Sequence, residues 1–180
     1  MLDKRYQVFI STSGSEMQPE RMVLTQTLVG MGFFSWGLEQ RTPLSTSFAR
    51  RQIDDCDYVV LLLGSQYGEQ SVSGVGYMHL EYIYAVTKQK PMIVFMHEDP
   101  DSRDASLQDA KPELREKFKE FRRLLQQEVD QVFCYRSLRD LELAVRFNMP
   151  QMLERYPVVG WVRPQNTQAL HDEIEQLQAK

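Results

Sequence analysis

The sequence contains 180 residues, of which 42% are hydrophobic, 11% aromatic and 26% charged. These proportions are typical of one compact soluble domain and exclude a chain that is disordered over most of its length. The net charge of −4 argues against a nucleic-acid-binding module, because phosphate contacts need a concentrated basic surface. The longest apolar runs have the length of strands, well short of the ~20 residues that cross a bilayer. Neither a nucleic acid nor a membrane is therefore an expected partner.

The N-terminal segment and the cysteines favour a cytoplasmic location. Residues 1–5 lead directly into a strand-like segment, without the apolar core of a signal peptide. Cys56 and Cys134 are too few for a disulfide framework and lack the paired spacing of a zinc site. We expect both cysteines in the core of a cytoplasmic protein.

The first half of the chain alternates strand and helix patterns. Strands are predicted at residues 6–10, 33–38 and 58–63, and helices at 18–31 and 47–55. The run 58–63 is continuously apolar, which is typical of a strand covered on both faces in a parallel sheet. We expect this strand to be central, between the strands 6–10 and 91–96.

The second half continues the alternation. Helices are predicted at 77–89, from Pro112 onward and after Ser137, and strands at 91–96 and 131–135. Ser137 and Asp140 match a capping box, and Pro150 is expected to break or kink the helix that they begin. Residues 157–164 are predicted to be an extended linker to a last helix. The apolar seam of that helix is narrow and consists of Leu170, Ile174 and Leu177.

This alternation predicts a three-layer α/β sandwich with about five mainly parallel strands. The α/β domain would occupy residues 1–156, and the linker and C-terminal helical extension residues 157–180. In such sheets a ligand binds beyond the carboxyl ends of the strands. Those ends are the loops at 11–15, 38–43, 64–76 and 97–101.

Several motifs occur in an order that resembles a known family. They are YQVFIS at 6–11, IDDCDYVVLLLGSQYG at 53–68, GVGYMHLEYIYAV at 74–86 and KPMIVF at 90–95. Together they resemble the TIR-like family called domain of unknown function 4062, over roughly residues 4–133. The family's opening signature and its G-x-x-Y-G turn are matched by Ser11, Thr12, Ser13, Glu20 and Arg21, and by Gly64, Tyr67 and Gly68. His79 and Gly14 depart from the residues that are commoner in the family.

The resemblance implies a TIR-like, flavodoxin-like three-layer fold and a candidate catalytic residue. TIR domains place an aromatic residue four positions before a helical glutamate, as Tyr77 and Glu81 are placed here. In enzymatic TIR domains, and in the nucleoside deoxyribosyltransferases of related architecture, that glutamate acts at the ribosyl C1′ when an N-glycosidic bond breaks. The resemblance thus implies a candidate site, with Glu81 as the candidate catalytic group, NAD or a nucleotide as the candidate substrate, and no bound cofactor. It also implies a setting in bacterial defence or signalling.

The chemistry of a glutamate suits this reaction. Cleavage of an N-glycosidic bond builds positive charge on the sugar, which one carboxylate can stabilise or trap covalently. Glu81 equally suits a structural role, in which it pairs with a nearby cation or accepts hydroxyl hydrogen bonds. Because it follows Leu80 on a helix that packs on the sheet, we expect it to be partly buried, where an unpaired carboxylate is costly.

Other polar and aromatic residues are candidate ligand contacts with equally ordinary structural roles. The hydroxyl-rich loop before the first helix suits phosphate binding or simple capping. Arg41 lies in a loop where it would meet a nucleotide or solvent, and two tyrosines suit stacking on a base or packing in the core. The candidate ligand-binding residues are Ser11, Thr12, Ser13, Ser15, Arg41, Tyr67 and Tyr77.

Two functional hypotheses follow. The first is an NAD- or nucleotide-processing domain with Glu81 at its centre, and the second is a non-catalytic module that self-associates or binds a partner protein. The three histidines fit no metal-binding spacing, so no metal is expected. No P-loop, Rossmann fingerprint or nucleophile elbow is present in the sequence. We expect Ser11 to Ser15, Tyr67 and Glu81 to converge on one cleft.

Overall fold

The computed structural model describes residues 3–38, 40–164 and 167–179. It contains one sheet of five strands, which are β1 (Tyr6–Thr12), β2 (Phe33–Trp36), β3 (Tyr58–Leu63), β4 (Met92–His97) and β5 (Val132–Tyr135). All four neighbouring pairs are parallel, and the strand order is β2-β1-β3-β4-β5. This is the flavodoxin-like order. The predicted parallel α/β sheet is confirmed.

Helices cover both faces of the sheet. They are α1 (Gln18–Gly30), α2 (Thr46–Asp55), α3 (Tyr77–Thr87), α4 (Pro112–Glu128) and α5 (Leu138–Arg155), followed by the C-terminal α6 (Thr167–Gln178). Apolar side chains of α1 and α5 pack on one face, and those of α2, α3 and α4 pack on the other. None of the described helices is long and apolar enough to span a bilayer.

Strand β3 is the centre of the core. All six of its residues are buried, and it pairs with β1 on one side and β4 on the other, as its apolar run predicts. Successive side chains of a strand point to opposite faces, so Val60 and Leu62 join the α1 and α5 layer, while Leu61 and Leu63 join the opposite layer. A strand with this environment has no polar face.

Helix α5 begins at the predicted capping box and is continuous past Pro150, so of the expected break or kink the break does not occur. The Ser137 hydroxyl accepts a hydrogen bond from the Asp140 backbone N–H at 3.1 Å. The helix then runs without interruption through Pro150 to Arg155. Met149 and Met152, on either side of the exposed proline, are buried against the sheet. This packing holds both halves of the helix and outweighs the one lost backbone hydrogen bond.

Two smaller predictions also differ from the structure. Strand β2 ends at Trp36 instead of Leu38, because the backbone at Gly37 crosses so close to β1 that a Cβ there would lie 2.3 Å from the Ile10 carbonyl oxygen. Cys56 is buried as expected, whereas Cys134 is exposed. Cys134 belongs to β5, an edge strand of the sheet. At an edge, a side chain on an apolar strand need not reach the core.

Candidate functional site at the carboxyl edge of the sheet

Glu81 lies on the buried face of helix α3. The buried residues of this helix recur at the spacing of one helical face and are Tyr77, Met78, Glu81, Tyr82 and Ala85. Glu81 is the one charged member of that face, so its carboxylate is directed toward the sheet rather than toward solvent. A buried carboxylate is stable only when it is paired and hydrogen-bonded.

Ser11 and Arg41 supply the partners that Glu81 needs. The Ser11 hydroxyl donates to Glu81 Oε1 at 2.6 Å. Arg41 donates from Nη2 to Oε1 at 2.8 Å and from Nε to Oε2 at 3.2 Å, which is the forked geometry that arginine uses with carboxylates. The side chains of Arg41 and Glu81 are only 3% and 6% exposed. We call these three residues the Ser11–Arg41–Glu81 cluster.

Arg41 is fixed by a further contact. Its Nη1 donates to the backbone carbonyl of Thr12 at 2.5 Å, at the end of β1. The Thr12 hydroxyl in turn accepts from Arg21 at 3.3 Å. Arg41 belongs to the segment between β2 and α2, so one side chain joins that segment both to β1 and to α3.

A polar cleft of about 470 Å³ opens beside the cluster. The segments that follow β1, β2 and β3 form its walls, and its lining includes Ser13, Ser15, Glu16, Arg41, Gln66 and Glu69. Ligand sites occupy roughly 300–1,000 Å³, so the cleft has the size of a small-molecule site. Its position beyond the carboxyl ends of parallel strands is the place where ligands bind in sheets of this topology.

Glu81 does not line this cleft. It lines a separate cavity of about 20 Å³ together with Tyr77 and Arg41. That volume suffices for roughly one water-sized group. Arg41 lines both spaces, so one side chain borders the polar cleft and also holds the Glu81 carboxylate.

The structure brings together most of the predicted site residues. Ser11, Arg41 and Glu81 are in direct contact, Tyr77 lies beside them, and Ser13 and Ser15 line the cleft. The hydroxyl of Ser13, however, donates to Glu16. Thr12 contributes its backbone carbonyl, since its side chain is buried.

Tyr67 is not brought to the cleft. Its ring lies against Phe121 of α4, edge-on at 6.1 Å between centroids, and its hydroxyl accepts from the Gly76 backbone N–H at 3.0 Å. The Tyr67 N–H donates to Asp109 Oδ2 at 2.7 Å. Burial raises the pKa of both the Tyr67 hydroxyl and the Asp109 carboxyl. Tyr67 thus anchors the segment between β3 and α3 in the core.

Gly68, the residue after Tyr67, explains the shape of the cleft wall. Gly68 has φ +86°, and a Cβ there would lie 2.4 Å from the carbonyl oxygen of Ser13. Only glycine permits both this backbone conformation and this close approach. The segment after β3 therefore packs with its backbone directly on the segment after β1.

A second ion pair, partly buried at the same edge of the sheet, was not predicted. Arg103 donates from Nη2 to Glu20 Oε1 at 3.0 Å and from Nη1 to the Ser65 hydroxyl at 3.2 Å. A Cβ on Gly64 would lie 1.8 Å from Arg103 Nη1, so this glycine makes room for the guanidinium. Arg103 lies in a polar loop whose sequence has no periodic pattern. The sequence signal for this ion pair is its partner Glu20, which belongs to the family's opening signature and, as a carboxylate, favours a positively charged neighbour.

The fold and the cleft together define a flavodoxin-like α/β domain with a polar cavity at the carboxyl edge of its sheet. The chain belongs to the family described as a domain of unknown function (DUF4062), whose model matches residues 7–150. This confirms the family that the sequence motifs indicate.

The structure is similar to that of the CMP N-glycosidase BcmB from Clostridium botulinum. The two have a TM-score of 0.50 and 14% sequence identity, over 78% of this chain and 98% of that chain. At this level of identity the similarity concerns the fold alone. No curated protein sequence matches the chain.

Proposed function

We propose that this domain binds the nucleoside part of an N-ribosyl compound in the polar cleft and that Glu81 acts on the N-glycosidic bond. The observation that best supports this proposal is the position of the Glu81 carboxylate, one side chain away from a cleft at the carboxyl edge of the sheet. The fold of a CMP N-glycosidase is a further, weaker support. The proposed setting in bacterial defence or signalling depends on the family resemblance alone.

The proposed reaction is hydrolysis. The bond between C1′ and the base nitrogen breaks, and its electron pair leaves with the base while positive charge develops on the ribose. The Glu81 carboxylate stabilises that charge or bonds to C1′. A water then supplies the hydroxyl group at C1′ and the proton that the departing base takes up.

Arg41 has to move before ribose can reach Glu81. The cavity that Glu81 lines is about 20 Å³, far smaller than a sugar, and Arg41, which lines both spaces, occupies both oxygens of the Glu81 carboxylate. Displacement of the guanidinium would free the carboxylate from its two arginine contacts and join the two cavities. The proposal therefore includes a ligand that exchanges contacts with Arg41 on binding.

The charges of the cleft favour an uncharged part of the ligand. Among the described residues that line it, the charged ones are Glu16, Glu69 and Arg41, and Arg41 is already paired with Glu81. The cleft is therefore net negative, which repels phosphate. We expect base and ribose to occupy it, and a nucleoside to bind at least as tightly as its monophosphate.

The decisive experiment incubates the pure protein with nucleosides, their monophosphates and NAD, and detects free base by mass spectrometry. Glu81→Gln should abolish base release, whereas Glu116→Gln, which removes an exposed carboxylate of α4, should not. Circular dichroism must show that both variants are folded. Base release that persists in folded Glu81→Gln would exclude Glu81 as the catalytic group.

A second candidate function is a non-catalytic interaction module. The observation in its favour is that both oxygens of Glu81 are occupied, by Ser11 and Arg41, as in a purely structural ion pair. This candidate predicts no base release from any compound and no binding of nucleosides detectable by calorimetry. Binding without base release would support the cleft and refute the catalytic step.

A further inference from the structure

Four aromatic side chains line a groove at the β2 edge of the sheet. They are Phe34, Trp36, Phe48 and Trp161, and the groove measures about 760 Å³. The chain's two tryptophans are both in this set, and Trp36 and Trp161 are 52% and 49% exposed. Exposed aromatic residues gathered in one concavity are typical of protein interfaces. We call this set the aromatic groove.

The aromatic groove is held in place by the chain that precedes α6. Trp161 exchanges two backbone hydrogen bonds with Arg5, at 2.9 and 2.7 Å, just before β1. This pairing places the Trp161 ring 6.4 Å from that of Phe34. No described residue lines both the aromatic groove and the polar cleft, so the groove is a separate surface.

Helix α6 presents an apolar seam that the described part of its own chain leaves exposed. Ile174 and Leu177, which follow Leu170 along this seam, are 43% and 66% exposed. None of the described residues of α6 lines the aromatic groove. Each copy of the chain therefore presents both an exposed apolar seam on α6 and an exposed aromatic groove.

The charges beside the two surfaces are complementary. Arg51 and Asp55 line the aromatic groove and lie four residues apart on α2. On α6, His171 and Glu175 also lie four residues apart, next to the seam, and in the same order, with the basic residue before the acidic one. A helix that lies antiparallel to α2 places Glu175 beside Arg51 and the His171 imidazole beside Asp55.

We propose that α6 of a second copy of this chain docks in the aromatic groove, antiparallel to α2, and that the exchange is reciprocal. A two-fold dimer of this kind covers the aromatic groove and the α6 seam on both copies. It is closed, because no such surface remains free to bind a third copy. Aromatic side chains bury about 150–250 Å² each, so four half-exposed rings offer about 400 Å² per groove. When the surface of the docked α6 helices is added, the total area buried in the two symmetric contacts reaches the roughly 1,200–2,000 Å² of a stable interface.

The proposal is tested on the full chain by sedimentation velocity over a concentration series. We expect a dimer, and Leu177→Glu should weaken it more than about tenfold because it places a charge in an apolar contact. Leu143→Glu introduces the same charge at an exposed leucine of α5 and should leave the dimer intact. Arg51→Glu should weaken dimerisation about fivefold, and adding Glu175→Arg should restore it.

The tryptophans report on the same contact. Their fluorescence should shift to shorter wavelength as the dimer forms, in the wild type and in Leu143→Glu but not in Leu177→Glu. A chain that is monomeric at all concentrations, or a dimer unaffected by Leu177→Glu, overturns the proposal. A monomer whose fluorescence changes in Leu177→Glu also overturns it, because α6 then covers the groove of its own chain.

Discussion

Replacing Glu81 by glutamine tests the energetic role of the Ser11–Arg41–Glu81 cluster. Glu81→Gln keeps the size of the side chain but leaves the buried Arg41 guanidinium without a counter-charge. Removal of one partner from a buried ion pair costs about 3–5 kcal/mol. The amide oxygen still accepts one hydrogen bond, so we expect the lower end of that range. With a urea m-value of about 2 kcal/mol per molar, the midpoint of unfolding should fall by about 1.5 M.

Urea denaturation followed by circular dichroism at neutral pH measures this loss. The double variant Arg41→Gln/Glu81→Gln leaves no unpaired charge in the Ser11–Arg41–Glu81 cluster and should be more stable than Glu81→Gln alone. Glu142→Gln is the control, since Glu142 pairs with Arg139 and Arg146 on the exposed side of α5. Such surface pairs contribute about 0–1 kcal/mol. If Glu81→Gln costs no more than Glu142→Gln, the reasoning from burial is refuted.

Three further predictions concern the surroundings of the cleft. Burial lowers the pKa of His79 and His97 in the folded protein relative to the unfolded chain. From pH 7 to pH 5 the unfolded chain therefore binds more protons than the folded protein, and the free energy of unfolding should fall. Urea titrations at both pH values measure the fall, which His79→Phe should reduce; a stability independent of pH would contradict it. Gly68→Ala should cost about 2 kcal/mol or more, while Gly30→Ala, at an open helical position, should be neutral or stabilising in the same thermal melts. Tyr67→Phe should cost about 1–3 kcal/mol, because it leaves the Gly76 N–H unpaired, and an unchanged melting temperature would refute that role.

The architecture could be predicted because its signals are local. Each residue of β3 is apolar, and a run of that kind already implies cover on both faces. The position of Glu81 follows from its spacing to Tyr77, since residues four apart share a helix face. The capping box of α5 is likewise contained within four residues.

The partners within the site could not be predicted in the same way. Arg41 and Glu81 are 40 residues apart, and Arg41 lies in a segment without periodicity, so its path back to α3 is a property of the assembled fold. Tyr67 follows a strand that points toward the cleft, but nothing in a glycine- and serine-rich loop specifies to which side its ring turns. Pro150 shows the converse case, in which tertiary packing outweighs a local signal.

The composition of the Ser11–Arg41–Glu81 cluster also bears on the order of folding. Its members come from three separate segments, and Ser11 and Glu81 are 70 residues apart in the chain. Contacts at such separation form after local structure, because closing long loops costs entropy before any contact compensates it. The two charges therefore keep their water until α3 docks on β1, and they lose it in a late step. Substitutions in this cluster should accelerate unfolding and leave the folding rate nearly unchanged.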